Sequence, residues 1–160
     1  MSRDDVSHAP FNFSWVVPGK LACTGWPQTQ ENIQFLADKG ITHLVTLSRE
    51  RRPPFEAIPI GMNWTEIPIE EFEAPTLAEV DRFMDICRRA EVDGGLQVVC
   101  VHCYHGRGRT GLMAACYLVK FQDLAPERAI TNLRMMRPGS IETYAQERFV
   151  IKYHDALRRE

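Results

Sequence analysis

Short apolar runs alternate along this chain with longer segments in which apolar residues recur every three or four positions. The short runs predict β-strands over 13–17, 20–24, 41–47, 62–67 and 97–101. The periodic segments predict helices over 29–39, 109–121, 126–136 and 141–157, and a further helix that begins at Thr76 and ends at Gly94-Gly95. This alternation indicates an α/β fold: a single domain with a central, mostly parallel sheet of four to five strands flanked by helices.

Local signals mark the ends of several elements. Pro18-Gly19 predicts a turn between the first two strands, and Gly40 predicts the end of the first helix. Thr76 is followed three residues later by Glu79, which predicts a capping box at a helix start. The segment 109–121 is apolar nearly all round, so we expect it to be a buried helix.

Ligands of parallel sheets bind beyond the carboxyl ends of the strands. The segment 102–108 connects the most apolar strand to the most apolar helix. The pattern of elements therefore predicts a functional site there before any motif is considered.

Composition narrows the class of protein. The chain has 160 residues, of which 44% are hydrophobic and 25% charged, and its formal net charge is −2. We expect one globular domain over 11–160 after a flexible tail over 1–10. The weak net charge and the lack of an 18-residue apolar run lead us to expect no nucleic-acid partner and no membrane insertion. We also expect a monomer.

The five cysteines are odd in number and lack the spacing of a disulfide scaffold, which indicates a reducing compartment. We expect a cytoplasmic protein that can also enter the nucleus. Cys100 and Cys103 form a C-x-x-C pair, which could indicate zinc or redox chemistry. A structural zinc site needs a second pair of ligands, which the sequence does not supply, so we expect neither a metal nor a cofactor.

The segment from Cys103 to Arg109 has the features of an oxyanion site. Gly106 and Gly108 allow the backbone to curl with its N–H groups turned inward. The following helix adds free N–H groups and the positive end of its dipole. Arg109 supplies a planar fork that matches two phosphate oxygens. The same positive groups favour the thiolate of Cys103, which is the nucleophilic form of a cysteine.

The run His102-Cys103-x-x-Gly106-x-x-Arg109-Thr110-Gly111 resembles the signature of the protein tyrosine phosphatase superfamily. Length and flanking segments resemble its small atypical dual-specificity phosphatases, from about residue 12 to the end of the last helix. The resemblance implies hydrolysis of phosphate monoesters on phosphorylated proteins, at tyrosine and also at serine or threonine, through a phosphocysteine. Cys103 would be the nucleophile and Arg109 the phosphate clamp.

The resemblance also implies roles around the nucleophile. Thr110 would donate a hydrogen bond to the sulfur and help it leave, and His102 would orient the loop by hydrogen bonds. The phosphate would lie within the loop formed by Tyr104, His105, Gly106, Arg107, Gly108 and Arg109.

The general acid is the point at which this sequence departs from the family. The family places an aspartate in the loop before the second helix, and the matching residue here is Glu71. Glu142 offers a second carboxylate that could share proton transfer. In related phosphatases a glutamine near Gln146 positions the hydrolytic water, although Thr143 and Gln146 also form a capping pattern.

Three other functions remain open. Arg107 adds positive charge beside the phosphate, which would suit a phosphoinositide or an RNA 5′-phosphate. Glu71 in place of aspartate permits a pseudophosphatase that binds phosphoproteins without turnover. A sulfurtransferase also uses a cysteine loop, but the Thr110-Gly111 ending disfavours it.

Overall fold

A computed structural model of the chain describes residues 8–92, 94 and 96–160. The strands of the described part are β1 (Ser14–Val17), β2 (Leu21–Thr24), β3 (His43–Thr46), β4 (Asn63–Glu66) and β5 (Val99–His102). The α-helices are α1 (Gln30–Asp38), α2 (Leu77–Val92), α3 (Gly108–Phe121), α4 (Pro126–Met136) and α5 (Tyr144–Arg158). A short 3₁₀ helix covers Phe55–Ala57.

The strands form one sheet in the order β1-β2-β5-β3-β4. β1 and β2 pair antiparallel, while β2, β5, β3 and β4 pair parallel. The predicted α/β domain with a mostly parallel sheet is therefore confirmed. β5 lies in the centre of the sheet, so the residues that follow it emerge between the ends of β2 and β3.

The sheet separates two apolar layers. One layer joins side chains of α2, α3, α4 and α5, including Phe83, Leu112, Leu133 and Phe149. The other layer packs α1 against the opposite face. α3 is buried along most of its length, as its sequence predicts, because the surrounding helices and the sheet cover it.

The capping box predicted at Thr76 is present. The Glu79 N–H donates to the Thr76 hydroxyl at 3.1 Å, and the Thr76 N–H donates to the Glu79 carboxylate at 2.8 Å. Two backbone N–H groups that a helix start leaves without partners are thereby satisfied.

The start of the last helix was predicted wrongly, three residues too early. α5 begins at Tyr144, because Thr143 is extended and its hydroxyl accepts from the N–H of Gln146. Ile141 has a left-handed backbone with φ of 64° and donates its N–H to the carbonyl of Arg107. The apolar side chain of Ile141 made this segment look helical, whereas its backbone is bound to the loop before α3.

Residues 1–7 of the predicted tail lie outside the described residues. Pro10 is buried, and its carbonyl accepts a hydrogen bond from the N–H of Phe13. The boundary at residue 11 stays a prediction. None of the helices in the described ranges combines the length and apolar character that a membrane span requires.

A largely buried polar network joins the carboxyl ends of β5 and β3 to Trp64 of the edge strand β4. His102 Nδ1 lies 3.1 Å from the carbonyl of Cys103, so this nitrogen carries the proton and donates. The Thr46 hydroxyl then donates to His102 Nε2 at 2.7 Å and accepts from the indole N–H of Trp64 at 2.8 Å. Burial lowers the pKa of His102 to about 4, so the ring is neutral near pH 7.

This low pKa predicts a stability loss on acidification. Below the ordinary histidine pKa of about 6.5, His102 binds a proton in the unfolded chain but stays neutral in the folded protein. The free energy of unfolding therefore falls by about 1.4 kcal/mol for each unit by which the pH is lowered. The loss should extend down to about pH 4, where folded His102 itself becomes protonated. We expect His102→Asn, which keeps the donor to Cys103 but cannot titrate, to show a shallower decline between pH 6.5 and 5.

Urea unfolding of both proteins at several pH values measures this difference. Burial also lowers the pKa of His43. Both proteins contain this residue, so its contribution to the pH dependence cancels in the comparison. Parallel stability curves for the two proteins would contradict a neutral, buried His102.

Candidate active site

Cys103 lies at the carboxyl end of β5, at the centre of the sheet, and only 2% of it is exposed. The remaining cysteines are free thiols in the core. Burial raises the pKa of Cys23 to about 11 and raises the pKa values of Cys87, Cys100 and Cys116 further. Their burial keeps these four as uncharged thiols.

The two members of the C-x-x-C pair lie on opposite faces of the sheet. Cys100 packs with Ile33 and Leu44 in the layer of α1, whereas Cys103 belongs to the layer of α3. The two sulfurs therefore do not form a dithiol site. Among the described residues, no three histidine, cysteine or acidic side chains cluster as metal ligands.

The loop after Cys103 presents a row of free backbone N–H groups. Within the described part of the chain, the N–H groups of residues 105–110 donate to no other group. Gly106 has a φ of 75°, and a Cβ there would lie 2.7 Å from the Gly25 nitrogen. A Cβ on Gly108 would lie 2.7 Å from Glu142 Oε1. Only glycine fits at Gly106, as the motif predicts, whereas a side chain at Gly108 would require Glu142 and Gln146 to move.

Arg109 is buried and held at both ends of its fork. Its Nη2 donates to Glu50 Oε1 at 2.6 Å, and its Nη1 donates to the carbonyl of Ile69 at 2.9 Å. Burial works to lower the pKa of Arg109, but the hydrogen bond to Glu50 and the nearby Cys103 charge outweigh it, so this pKa is raised. Burial works to raise the pKa of Glu50, and the bond to Arg109 lowers it overall.

Glu50 is a site residue that sequence reasoning missed. It follows β3, the strand beside β5, so its place at a carboxyl strand end was the available signal. Arg51, the next residue, borders the loop, with its guanidinium 4.6 Å from the ring centre of Tyr104 and 5.3 Å from that of Trp26.

The predicted acid loop lies against the start of α5. Glu71 is exposed, and its charge contributes to raising the pKa of Arg109, so the two side chains interact across the site. Phe72 has a left-handed backbone with φ of 67°, and its carbonyl lies 3.3 Å from the Thr143 hydroxyl, which donates to it. The carbonyl of Glu73 accepts from the Gln146 amide at 3.3 Å.

Gln146 is fully buried and its amide is engaged in capping. Its Oε1 accepts from the N–H groups of Glu142 and Thr143 at 2.8 and 3.2 Å. Both Gln146 and Glu142 lie against Gly108 of the loop, so the structure brings them to the site. Thr110 Oγ1 is buried and has no hydrogen-bond partner in the described part of the chain. The catalytic roles of these three residues stay predictions.

The variable loop residues lie at the mouth of the site. The rings of Tyr104 and His105 stack with their centres 4.1 Å apart. Arg107 is exposed, and its side chain lies beside Gly139. A Cβ added to Gly139 would be 3.4 Å from Arg107 Cδ. Its carbonyl accepts from the N–H groups of Gly111 and Ile141, which fixes the backbone where the loop enters α3.

The chain is similar both to a protein-family model and to curated proteins. A family model described as Swiss Army Knife protein, DSP-PTPase phosphatase domain, matches residues 10–150. The human dual specificity protein phosphatase CDC14C is 25% identical over 154 residues, which cover 88% of this chain and 33% of that protein. The chain thus spans about a third or less of the length of the first curated relatives it matches.

Solved structures show the same fold. Kinase associated phosphatase, with serine in place of its catalytic-site cysteine, superposes with a TM-score of 0.82 at 22% identity, covering 95% of this chain and 98% of that one. PTPMT1 in complex with PI(5)P gives a TM-score of 0.76 at 18% identity, covering 88% and 94%. Since the family model spans most of the chain, including the loop from Cys103 to Arg109, the chain belongs to the DSP-PTPase phosphatase domain family.

Proposed function

We propose that this chain hydrolyses phosphate monoesters through a phosphocysteine intermediate, and that its substrates are phosphorylated proteins. The observation that carries the proposal is the position of Cys103 beneath a loop whose N–H groups at 105–110 have no partner in the described ranges, beside the buried fork of Arg109. Such a site stabilises the three outer oxygens of a phosphoryl group in transfer. It also stabilises a thiolate.

The first step transfers the phosphoryl group to the enzyme. Cys103 Sγ attacks phosphorus in line, the S–P bond forms, and the bond from phosphorus to the ester oxygen breaks. That oxygen keeps the bonding electrons and takes a proton from Glu71. In the second step, water attacks phosphorus, gives a proton to the Glu71 carboxylate, and the S–P bond breaks to release inorganic phosphate. Thr110 and Gln146 are proposed to assist sulfur departure and water placement.

Protein substrates are favoured by the family and by an exposed aromatic ring beside the site. CDC14C is named as a dual specificity protein phosphatase, and the exposed ring of Phe72 lies in the acid loop beside the site. The competing phosphoinositide function draws on exposed Arg107 and on the PTPMT1 structure, which contains PI(5)P. Relative rates on phosphopeptides, phosphoinositides and triphosphorylated RNA separate these substrates. We also propose a cytoplasmic, and in part nuclear, monomer.

The nucleophile and the clamp give the first functional prediction. Cys103→Ser should abolish turnover of p-nitrophenyl phosphate yet retain tungstate binding, because serine is a much weaker nucleophile while the loop N–H groups remain. Arg109→Lys should be severely impaired, since a point ammonium cannot replace a bidentate fork. Steady-state rates and tungstate affinity test both variants.

Matched controls are Cys87→Ser, in α2 beside the turn that precedes β2, and Arg158→Lys, on the exposed end of α5; both should remain active. Activity should survive EDTA and be inhibited by vanadate. Turnover by Cys103→Ser within tenfold of the parent, or loss of activity on chelation that a divalent ion restores, would overturn the mechanism. An unmodified chain that binds phosphopeptides without turnover would instead be a pseudophosphatase.

The proton donor gives the second prediction. If Glu71 is the acid, Glu71→Gln should slow alkyl phosphates most, because an alkoxide needs the proton more than a nitrophenolate does. General acid catalysis contributes about 10² to 10⁴ in rate, which sets the scale of the loss. If Glu142 shares the task, each single variant should lose little and the double variant much. The measurement is the dependence of rate on leaving-group pKa.

Glu70→Gln is the matched control, because Glu70 is an exposed carboxylate in the same loop. For Glu70→Gln, the slope of the rate against leaving-group pKa should equal that of the parent protein. Unchanged slopes in Glu71→Gln, Glu142→Gln and the double variant would show that neither carboxylate is the acid.

A further inference from the structure

Three successive carbonyls of the phosphate-binding loop are held by donors from other parts of the chain. The Tyr104 carbonyl accepts from the backbone N–H of Trp26 at 2.9 Å. The carbonyls of His105 and Gly106 accept from the side-chain amide of Asn12 at 3.1 and 3.3 Å. The Gly106 carbonyl also accepts from Nη2 of Arg137 at 2.6 Å. These donors lie on the outer side of the loop.

The direction of the carbonyls determines the direction of the N–H groups. In a planar trans peptide the C=O of one residue and the N–H of the next point in opposite directions. Holding the carbonyls of Tyr104, His105 and Gly106 outward therefore turns the N–H groups of His105, Gly106 and Arg107 inward. These are among the N–H groups that lack a partner in the described part of the chain.

Arg137 is an unusual buried cation. Only 2% of it is exposed, and its Nη1 donates to the Asn12 carbonyl at 2.7 Å, the Ser14 hydroxyl at 2.6 Å and the Cys23 carbonyl at 3.2 Å. Across residues 8–92, 94 and 96–160, it has no carboxylate within ion-pair distance. A buried charge is normally paired with an opposite one. An anion in the loop, on the other side of Gly106, would supply that opposite charge.

Asn12 connects Arg137 to the loop. Its own carbonyl accepts from Arg137, while its side-chain amide donates to the loop carbonyls. Its backbone is left-handed with φ of 61°, a conformation that asparagine and glycine tolerate better than other residues. The segment before β1 is thus part of the wall that supports the loop.

We propose that Asn12 and Arg137 are positioning residues of the phosphate-binding loop, which turn its N–H groups toward the anion and place an uncompensated positive charge behind it. This role rests on the proposed phosphatase function. Neither residue contacts the substrate, so their effect is exerted through the loop carbonyls.

Asn12→Gly provides a sharp test, because glycine keeps the left-handed backbone and removes only the amide. Asp123→Gly is the matched control, since Asp123 is also left-handed, with φ of 54°, and lies in the turn between α3 and α4. Asn12→Asp replaces the donors by a carboxylate that repels both the carbonyls and an incoming anion. Each variant is compared with the parent for tungstate and inorganic phosphate affinity by calorimetry, for thermal unfolding, and for kcat and KM on p-nitrophenyl phosphate.

We expect Asn12→Gly to weaken tungstate and phosphate binding about three- to tenfold, the scale of one or two neutral hydrogen bonds. KM should rise more than kcat falls, and the melting temperature should match that of Asp123→Gly. Asn12→Asp should bind tungstate and phosphate more weakly still. Its affinity should recover partly in high salt, because salt screens the repulsion between the added carboxylate and the anion. Arg137→Lys, which keeps the charge, should retain more affinity than Arg137→Gln when both variants fold.

Equal tungstate affinity in the parent, Asn12→Gly and Asn12→Asp would overturn this inference and leave the proposed function standing. A parent protein that binds neither tungstate nor phosphate would overturn the proposed function and, with it, this inference.

Discussion

A loop that binds phosphate with its backbone N–H groups needs hydrogen-bond donors for its carbonyls from elsewhere in the chain, and those parts of the chain must pack closely against it. The chain meets this constraint by packing other backbone segments directly against the loop and against the start of α3. A Cβ on Gly106 would lie 2.7 Å from the Gly25 nitrogen, and one on Gly25 would lie 2.8 Å from the carbonyl of Phe11. A Cβ on Gly111 would lie 2.8 Å from the nitrogen of Ile141. The end of β2, the start of α3 and the residues before α5 are therefore fixed relative to one another at the site.

The charge of the site comes from groups that do not titrate near neutral pH. Arg109 and Arg137 are buried guanidinium groups, and an arginine keeps its proton throughout this range. His102, the remaining basic group in the buried network, is neutral because burial lowers its pKa to about 4. The positive potential that these groups place behind the loop is thus constant near neutral pH.

The sequence predicts the parts of this structure that depend on short-range signals. The apolar runs and periodic segments locate the sheet and the buried α3, and the spacing of Cys103 and Arg109 locates the loop. Residues that act across long separations were missed, since the sequence does not show which distant residue each of them contacts. The Arg109 donor and its Glu50 acceptor are 59 residues apart, and Arg137 and its acceptor Asn12 are 125 apart. Only the folded sheet brings these pairs together.

Arg109 shows how one side chain can serve two tasks. A guanidinium has five N–H donors in one plane. The bonds to Glu50 and to the carbonyl of Ile69 use one N–H of each terminal nitrogen, so three N–H groups have no partner among the described residues and are available to phosphate oxygens while the plane stays fixed. Ile69 lies two residues before Glu71, at the base of the proposed acid loop. The residue that we propose as the phosphate clamp therefore also holds the segment that carries Glu71, the proposed proton donor, so one fixed fork would link substrate binding to proton transfer.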